Sequence, residues 1–169
     1  MKSHPGGLEH TLRMIDMAGL PEGARVLDMG AGAGESLLLM RKRGLDASGI
    51  DLEPRSDLVM QGDMLKTGFA DGEFDAVFSQ CSFYVSGDVP GALREARRLL
   101  KPGGIIVMSD VFFTDPELML AAAGFRITYA EDMTAQWRDY YLEALWRSEE
   151  ECSVPAGKCS YWLIMGGKE

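Results

Sequence analysis

Val26-Leu27-Asp28-Met29-Gly30-Ala31-Gly32-Ala33-Gly34-Glu35 decides the fold of this chain. Arg25 to Met29 suit a buried strand, three glycines follow at alternate positions, and residues 36–42 continue with helical spacing. Glycine accepts the positive φ angles of a tight strand-to-helix turn, and it has no Cβ to hold a ligand away from the backbone. In an open α/β sheet such a turn lies beyond the carboxyl ends of the strands, where ligands bind.

Outward from this stretch, helical patterns alternate with short apolar runs, as in a mostly parallel sheet. Upstream, residues 8–18 place Leu8, Leu12, Ile15 and Ala18 about one helical turn apart and stop at Gly19-Leu20-Pro21. Downstream, strands are predicted at 47–52, 57–61, 74–79, 105–108, 125–129 and 159–165, and helices at 91–100, 117–123 and 134–147. Glu53-Pro54-Arg55-Ser56 supplies only a turn between the second and third strands. Asp88-Val89-Pro90 reads as an N-cap with proline in the first turn. Lys101-Pro102-Gly103-Gly104 is expected to stop that helix ahead of the apolar run Ile105-Ile106-Val107-Met108. Tyr129 and Met165 are expected to meet in an antiparallel pairing at one sheet edge.

With 169 residues, 46% of them hydrophobic and 25% charged, the chain suits one globular domain over residues 1–169. The first seven residues lack a signal-like apolar segment, and no run of about 18 apolar residues follows. A cytoplasmic protein that does not enter a membrane is therefore expected. The net charge of -9 opposes nucleic acid, which needs a basic surface. Arg41-Lys42-Arg43 and Arg94 with Arg97-Arg98 fall on helices, as solvated faces. A small-molecule partner is favoured, and composition leaves monomer or homodimer open. Cys81, Cys152 and Cys159 are odd in number and scattered, which reads as reduced thiols with no metal site.

Two ligands compete for the glycine loop. Dinucleotide folds use G-x-G-x-x-G, which Gly30 and Gly32 begin, but Glu35 stands where the third glycine belongs and would repel a pyrophosphate. The spacing G-x-G-x-G after Asp28 suits S-adenosylmethionine, which carries no phosphate. Asp51 ends the second strand, about 20 residues after the loop as a ribose-binding acid should. There it can accept from both ribose hydroxyls, with Leu52 against the adenine. Asp63 ends the third strand, placed to accept from the adenine amino group while the Met64 amide donates to a ring nitrogen. The plainer alternative is that each acid caps a turn.

Residues 26–34, Gly49-Ile50-Asp51, Gly62-Asp63-Met64, Phe74-Asp75-Ala76-Val77 and Leu99-Leu100-Lys101-Pro102-Gly103-Gly104 together resemble a class I S-adenosylmethionine-dependent methyltransferase of the UbiE-like, methyltransferase-domain-11 type. The resemblance implies a Rossmann-like α/β fold. Its seven-stranded, mostly parallel sheet runs in the order 3-2-1-4-5-7-6, with strand 7 antiparallel and helices on both faces. It implies S-adenosylmethionine as cofactor, with S-adenosylhomocysteine as product. The cofactor would be held by Asp28, Gly30, Ala31, Gly32, Gly34, Asp51, Leu52, Asp63, Met64 and Gln80, the last at the methionine or sulfonium end. Residues 25–112 would form the cofactor core, 1–24 an N-terminal lid and helix, and 131–157 an acceptor-side cap. Such proteins usually carry a full helix between strands 2 and 3, so the turn here implies a more open adenine side.

Acceptor-side candidates are His4, Cys81, Tyr84, Trp137 and Tyr141. The helix from Thr134 carries Trp137 and Tyr141 on one face, which fits either a packed amphipathic helix or a cap over the site. A general base is needed only if the acceptor must lose a proton, and His10, Tyr84 and Asp132 are the catalytic candidates. Ser79-Gln80-Cys81 resembles the segment in which a thiol of arsenite methyltransferases binds arsenic. The upstream cysteine of that family is missing here, which favours a small buried thiol. The alternatives to a small-molecule methyltransferase are a cofactor-binding, non-catalytic protein of the same fold, an arsenite-type enzyme and a nicotinamide-dependent one.

Overall fold

The computed structural model describes residues 5–146 and 157–169. Its seven strands are β1 (Arg25–Met29), β2 (Asp46–Asp51), β3 (Met60–Gln61), β4 (Phe74–Gln80), β5 (Leu100–Phe112), β6 (Phe125–Asp132) and β7 (Ser160–Lys168). They form one sheet in the order β3-β2-β1-β4-β5-β7-β6. β7 runs antiparallel to both β5 and β6, and the other pairs are parallel. The expected edge pairing is present, with Tyr129 opposite Met165.

Among the described residues five α-helices cover the sheet: α1 (Gly7–Ala18), α2 (Glu35–Lys42), α3 (Val89–Leu99), α4 (Pro116–Ala122) and α5 (Thr134–Trp146). Strand side chains alternate between the faces, so neighbours in sequence enter different cores. Val26, Ala76, Phe78 and Val107 pack with Met14 of α1, Leu37 and Met40 of α2 and Trp137 of α5. Leu27, Val77, Ile106 and Met108 pack with Leu93 and Leu99 of α3 and Leu120 of α4. Asp88 caps α3 by accepting from the Gly91 amide at 2.8 Å. Asp115 caps α4 by accepting from the Glu117 amide at 2.9 Å.

Several boundaries differ from the sequence expectation, among them those of β6 and β7, which run on to Asp132 and Lys168. β3 shrinks to two residues, because 57–59 belong to a turn in which the Val59 amide donates to Ser56 O at 3.2 Å. Lys101-Pro102-Gly103-Gly104 is no spacer between helix and strand. β5 begins at Leu100, and the register jumps from Phe74 opposite Leu100 to Ala76 opposite Ile105, so these four residues bulge around Asp75. Lys101 Nζ pins the bulge to Asp75 Oδ1 at 2.7 Å. β5 also runs on to Phe112, beyond the apolar run, because β7 pairs with it from Ile105 to Phe112.

Candidate active site

The glycine loop leaves β1 beside the end of β2, where the Gly30 and Ala31 amides donate to Ile50 O at 2.8 and 2.9 Å. Gly30, Gly32 and Gly34 have φ of 87°, 54° and 80°. At each of the three, the space a Cβ would take is already used by the chain itself. A Cβ on Gly30 would overlap Ser82, and one on Gly34 would press on Leu58 and Val59 at 3.2 and 3.1 Å. Those two positions admit the chain's own packing. At Gly32 the obstructing group is the end of a flexible side chain, the Arg55 guanidinium.

Two carboxylates bracket this loop. Asp28 is 4% exposed and accepts from Ser36 Oγ at the start of α2. Burial pushes its carboxyl up to about 6, the charge of Asp51 adds to the rise, and the Ser36 hydrogen bond opposes it. Asp51 Oδ2 accepts from the Gly32 amide at 2.9 Å, and its Oδ1 from the Glu53 amide at 3.0 Å. Asp63 is exposed, with Oδ1 accepting from the Leu65 amide at 2.8 Å. Asp51 and Asp63 therefore do hold turns, yet each carboxylate oxygen keeps a lone pair for a further donor. Leu52 is exposed on the same rim, and Met64 is buried against Gly30.

At the end of β4, Gln80 Oε1 accepts from Thr11 Oγ1 of α1 at 3.0 Å. Gln80 Nε2 is buried with no hydrogen-bond partner among the described residues, a donor available to a ligand. Next comes Cys81, the one described non-glycine residue with positive φ, at 53°. Its Sγ lies 3.2 Å from the Tyr161 hydroxyl, which reaches Ser109 Oγ at 3.1 Å. Burial pushes the Cys81 thiol up to about 12, with the charge of Asp110 adding. A thiol held protonated in this way is a poor ligand for a soft metalloid, and among the described residues no three His, Cys, Asp or Glu side chains group around a metal position. Asp110, 1% exposed and raised to about 6 by burial, accepts from the Phe83 and Tyr84 amides at 2.8 and 3.2 Å. It thereby fixes the turn after β4, from which the Tyr84 ring leans on Phe113 at 5.5 Å.

The remaining candidates scatter. His10 is buried on α1. Trp137 is 4% exposed and stacks on Tyr161 at 6.3 Å, with Tyr141 edge-on to it at 5.0 Å. Asp132 is exposed at the end of β6 and accepts from the amide and the hydroxyl of Thr134, the first residue of α5. His4, and residues 147–156 of the expected cap, lie outside the described residues. Sequence reasoning missed Thr11, Ser36, Ser82, Asp110 and Tyr161. Of these only Asp110 carried a signal, an acid just beyond the apolar run Ile105-Ile106-Val107-Met108. Away from this rim, a cavity of about 560 Å³ is lined by Arg94, Arg97, Arg98, Asp71 and Lys168. Its cations are held by the chain itself: Arg97 donates to Gly124 O, Arg98 pairs with Glu95 and Asp71, and Lys168 donates to Leu100 O.

The methyltransferase domain family matches residues 27–108, from β1 into β5. The 2-phytyl-1,4-naphtoquinone methyltransferase of Thermosynechococcus vestitus is 32% identical over 181 residues, covering 91% of this chain and 77% of that protein. The chain belongs to the class I S-adenosylmethionine-dependent methyltransferases. Within this class it is also similar to phosphoethanolamine N-methyltransferase 3 of Arabidopsis thaliana, 28% identical over 204 residues, which cover 96% of this chain and 41% of that one. The fold is shared with phosphoethanolamine N-methyltransferase 2 of Haemonchus contortus, solved in complex with S-adenosyl-L-methionine. The TM-score is 0.78 at 19% identity, over 98% of this chain and 53% of that one. This methyltransferase chain thus spans about two fifths of the length of the plant relative.

Proposed function

We propose that this chain binds S-adenosylmethionine along the 30–34 loop and transfers its methyl group to a small-molecule acceptor at the end of β4. The observation that carries the proposal is electrostatic. Asp28 is buried at the base of the loop and Asp51 accepts from the Gly32 amide at 2.9 Å, so two carboxylates flank the loop beside Glu35. A ligand with net positive charge is favoured there, whereas a pyrophosphate would be repelled. S-adenosylmethionine has a sulfonium and an ammonium against one carboxylate, so it has the required sign.

The cofactor, when bound, supplies a methyl group already activated by a positively charged sulfur. The chain's task is then orientation and exclusion of water, with no covalent step on the protein. Asp51 would hold the ribose hydroxyls and Asp28 the cationic end. The Gln80 Nε2 donor, fixed through Thr11 of α1, fits the methionine end. That link supports residues 1–24 as a lid, while the buried Trp137 supports α5 as a packed helix. The net charge of -9 and the relatives' names, a naphtoquinone and a phosphoethanolamine methyltransferase, support a small acceptor. A cytoplasmic setting is supported by the free thiols Cys81 and Cys159. No helix among the described residues is long and apolar enough to cross a membrane.

One observation favours a second reading, a protein that holds the cofactor without turnover. Of the base candidates His10, Tyr84 and Asp132, His10 is buried on α1 and Asp132 is engaged with the amide and hydroxyl of Thr134. Release of S-adenosylhomocysteine in the presence of a panel of quinols, amines and thiols separates the readings. Turnover on any acceptor supports transfer. Binding with no turnover across the panel supports the second reading, and no binding defeats both.

A further inference from the structure

The connection between β2 and β3 folds back onto the glycine loop. The Arg55 amide donates to Gly32 O at 3.0 Å, and Ser56 Oγ donates to Ala33 O at 2.8 Å. Leu58 and Val59 then press against Gly34. Those bonds hold the Arg55 side chain over Gly32. A Cβ on Gly32 would stand 2.5 Å from Arg55 Nη2, 3.4 Å from Cζ and 3.5 Å from Nε, so the guanidinium itself covers the loop. Gly32 is buried beneath it, while Arg55 remains exposed on its outer side.

The Arg55 guanidinium is not held in place by an acid. In a chain with 26 acidic residues, it forms no ion pair within the described residues. Asp51, four residues earlier, accepts nothing from it and instead accepts from the Gly32 amide. A guanidinium that breaks no ion pair on moving is cheap to reposition. It is also planar, delocalised and weakly hydrated, properties that suit stacking on an aromatic ring.

We propose that Arg55 is a cofactor-contacting residue whose guanidinium lifts from Gly32 and packs on the adenine of the bound ligand, forming the adenosine wall that this short connection otherwise lacks. The inference rests on the reading that S-adenosylmethionine lies along the loop. Exposed Leu52, on the same turn, supplies the apolar surface for the other face of the ring. The side chain serves two states: it shields Gly32 in the free protein and the adenine in the complex. Lysine cannot replace it, because a compact ammonium has no plane to stack and is more strongly hydrated.

The test is calorimetric titration of the full chain with S-adenosylmethionine, S-adenosylhomocysteine and adenosine, using wild type, Arg55→Ala, Arg55→Lys and Asp51→Asn. The expected result is that Arg55→Ala weakens all three ligands by the same factor, about five- to thirtyfold, with an unchanged melting temperature. Arg55→Lys should fail to restore them. Loss confined to the two ligands with a methionine moiety would overturn the proposal in favour of a contact to the ligand's carboxylate. Tighter binding by Arg55→Ala would overturn it in favour of a plug that competes with the ligand, and unchanged binding would overturn it outright. If Asp51→Asn weakens binding in that last case, the cofactor site stands and only the role of Arg55 fails. If wild type binds none of the three, both readings fall.

Discussion

Replacing Asp28 by asparagine should change how stability depends on pH. The carboxyls of Asp28 and Asp110 are each held at about 6 in the folded chain against an ordinary 3.8, mainly by burial. Between those values the folded chain keeps protons that the unfolded chain has released. Stability therefore rises as pH falls from about 7 towards 4.5, and it is lowest where both groups are ionised. The gap for each group corresponds to at most about 3 kcal/mol, and two groups together give a slope of about 2.7 kcal/mol per pH unit in the steepest region. Asp28→Asn removes one of them, so the slope should fall to about half. At pH 7.5 the variant should match or exceed wild type, because the asparagine oxygen still accepts from Ser36 while the buried charge is gone. Its extra N–H needs a partner and takes back about 1–3 kcal/mol. Urea denaturation at steps from pH 4.5 to 7.5 measures this. Below that range the lowered carboxyls of Glu95, Asp75 and Glu131 act with the opposite sign, contributing stability that is lost as pH falls. A flat profile from pH 4.5 to 6.5, or one that Asp28→Asn leaves unchanged, would refute the reasoning.

Other substitutions probe the neighbouring parts. Trp137→Ala should cost about 3–5 kcal/mol by denaturant titration, because the ring is 4% exposed against Tyr161; a loss below about 1 kcal/mol would mean it does not serve the core. Asp110→Ala should cost about 2–4 kcal/mol and loosen the turn after β4, seen as faster hydrogen exchange at the Phe83 and Tyr84 amides that it now holds. Native wild type and Cys81→Ala should show the same number of thiols reacting with a disulfide reagent at pH 8, since the Cys81 thiol is held at about 12; one fewer in the variant would contradict that. Gly30→Ala combines a φ of 87° with overlap on Ser82 and should lose several kcal/mol or fail to fold, a failure seen directly in circular dichroism.

The sheet was legible because its signals are local and repeated. Val26 to Gly34 states a strand, a turn and a helix start within nine residues, and Asp88 caps where its neighbours imply. Long-range partners were not legible. Nothing in Lys101-Pro102-Gly103-Gly104 reveals that Asp75 will stand alone opposite a bulge, and the length of β5 depends on β7, some fifty residues later. The site divides in the same way. The acids at strand ends could be read in order, whereas Thr11, Ser36 and Tyr161 act through partners that only folding brings near. The glycines misled in one respect. Their missing Cβ atoms could be inferred from sequence, but not that at Gly30 and Gly34 the space is filled by Ser82 and Val59.

Titration of the purified full chain with S-adenosylmethionine, compared with its Asp51→Asn variant, tests the central claim most directly. Saturable one-site binding is expected, weakened about tenfold or more when the Asp51 charge is lost while the fold still melts cooperatively. No saturable binding of S-adenosylmethionine or S-adenosylhomocysteine at millimolar concentration, or equal affinity in the two proteins, would contradict it.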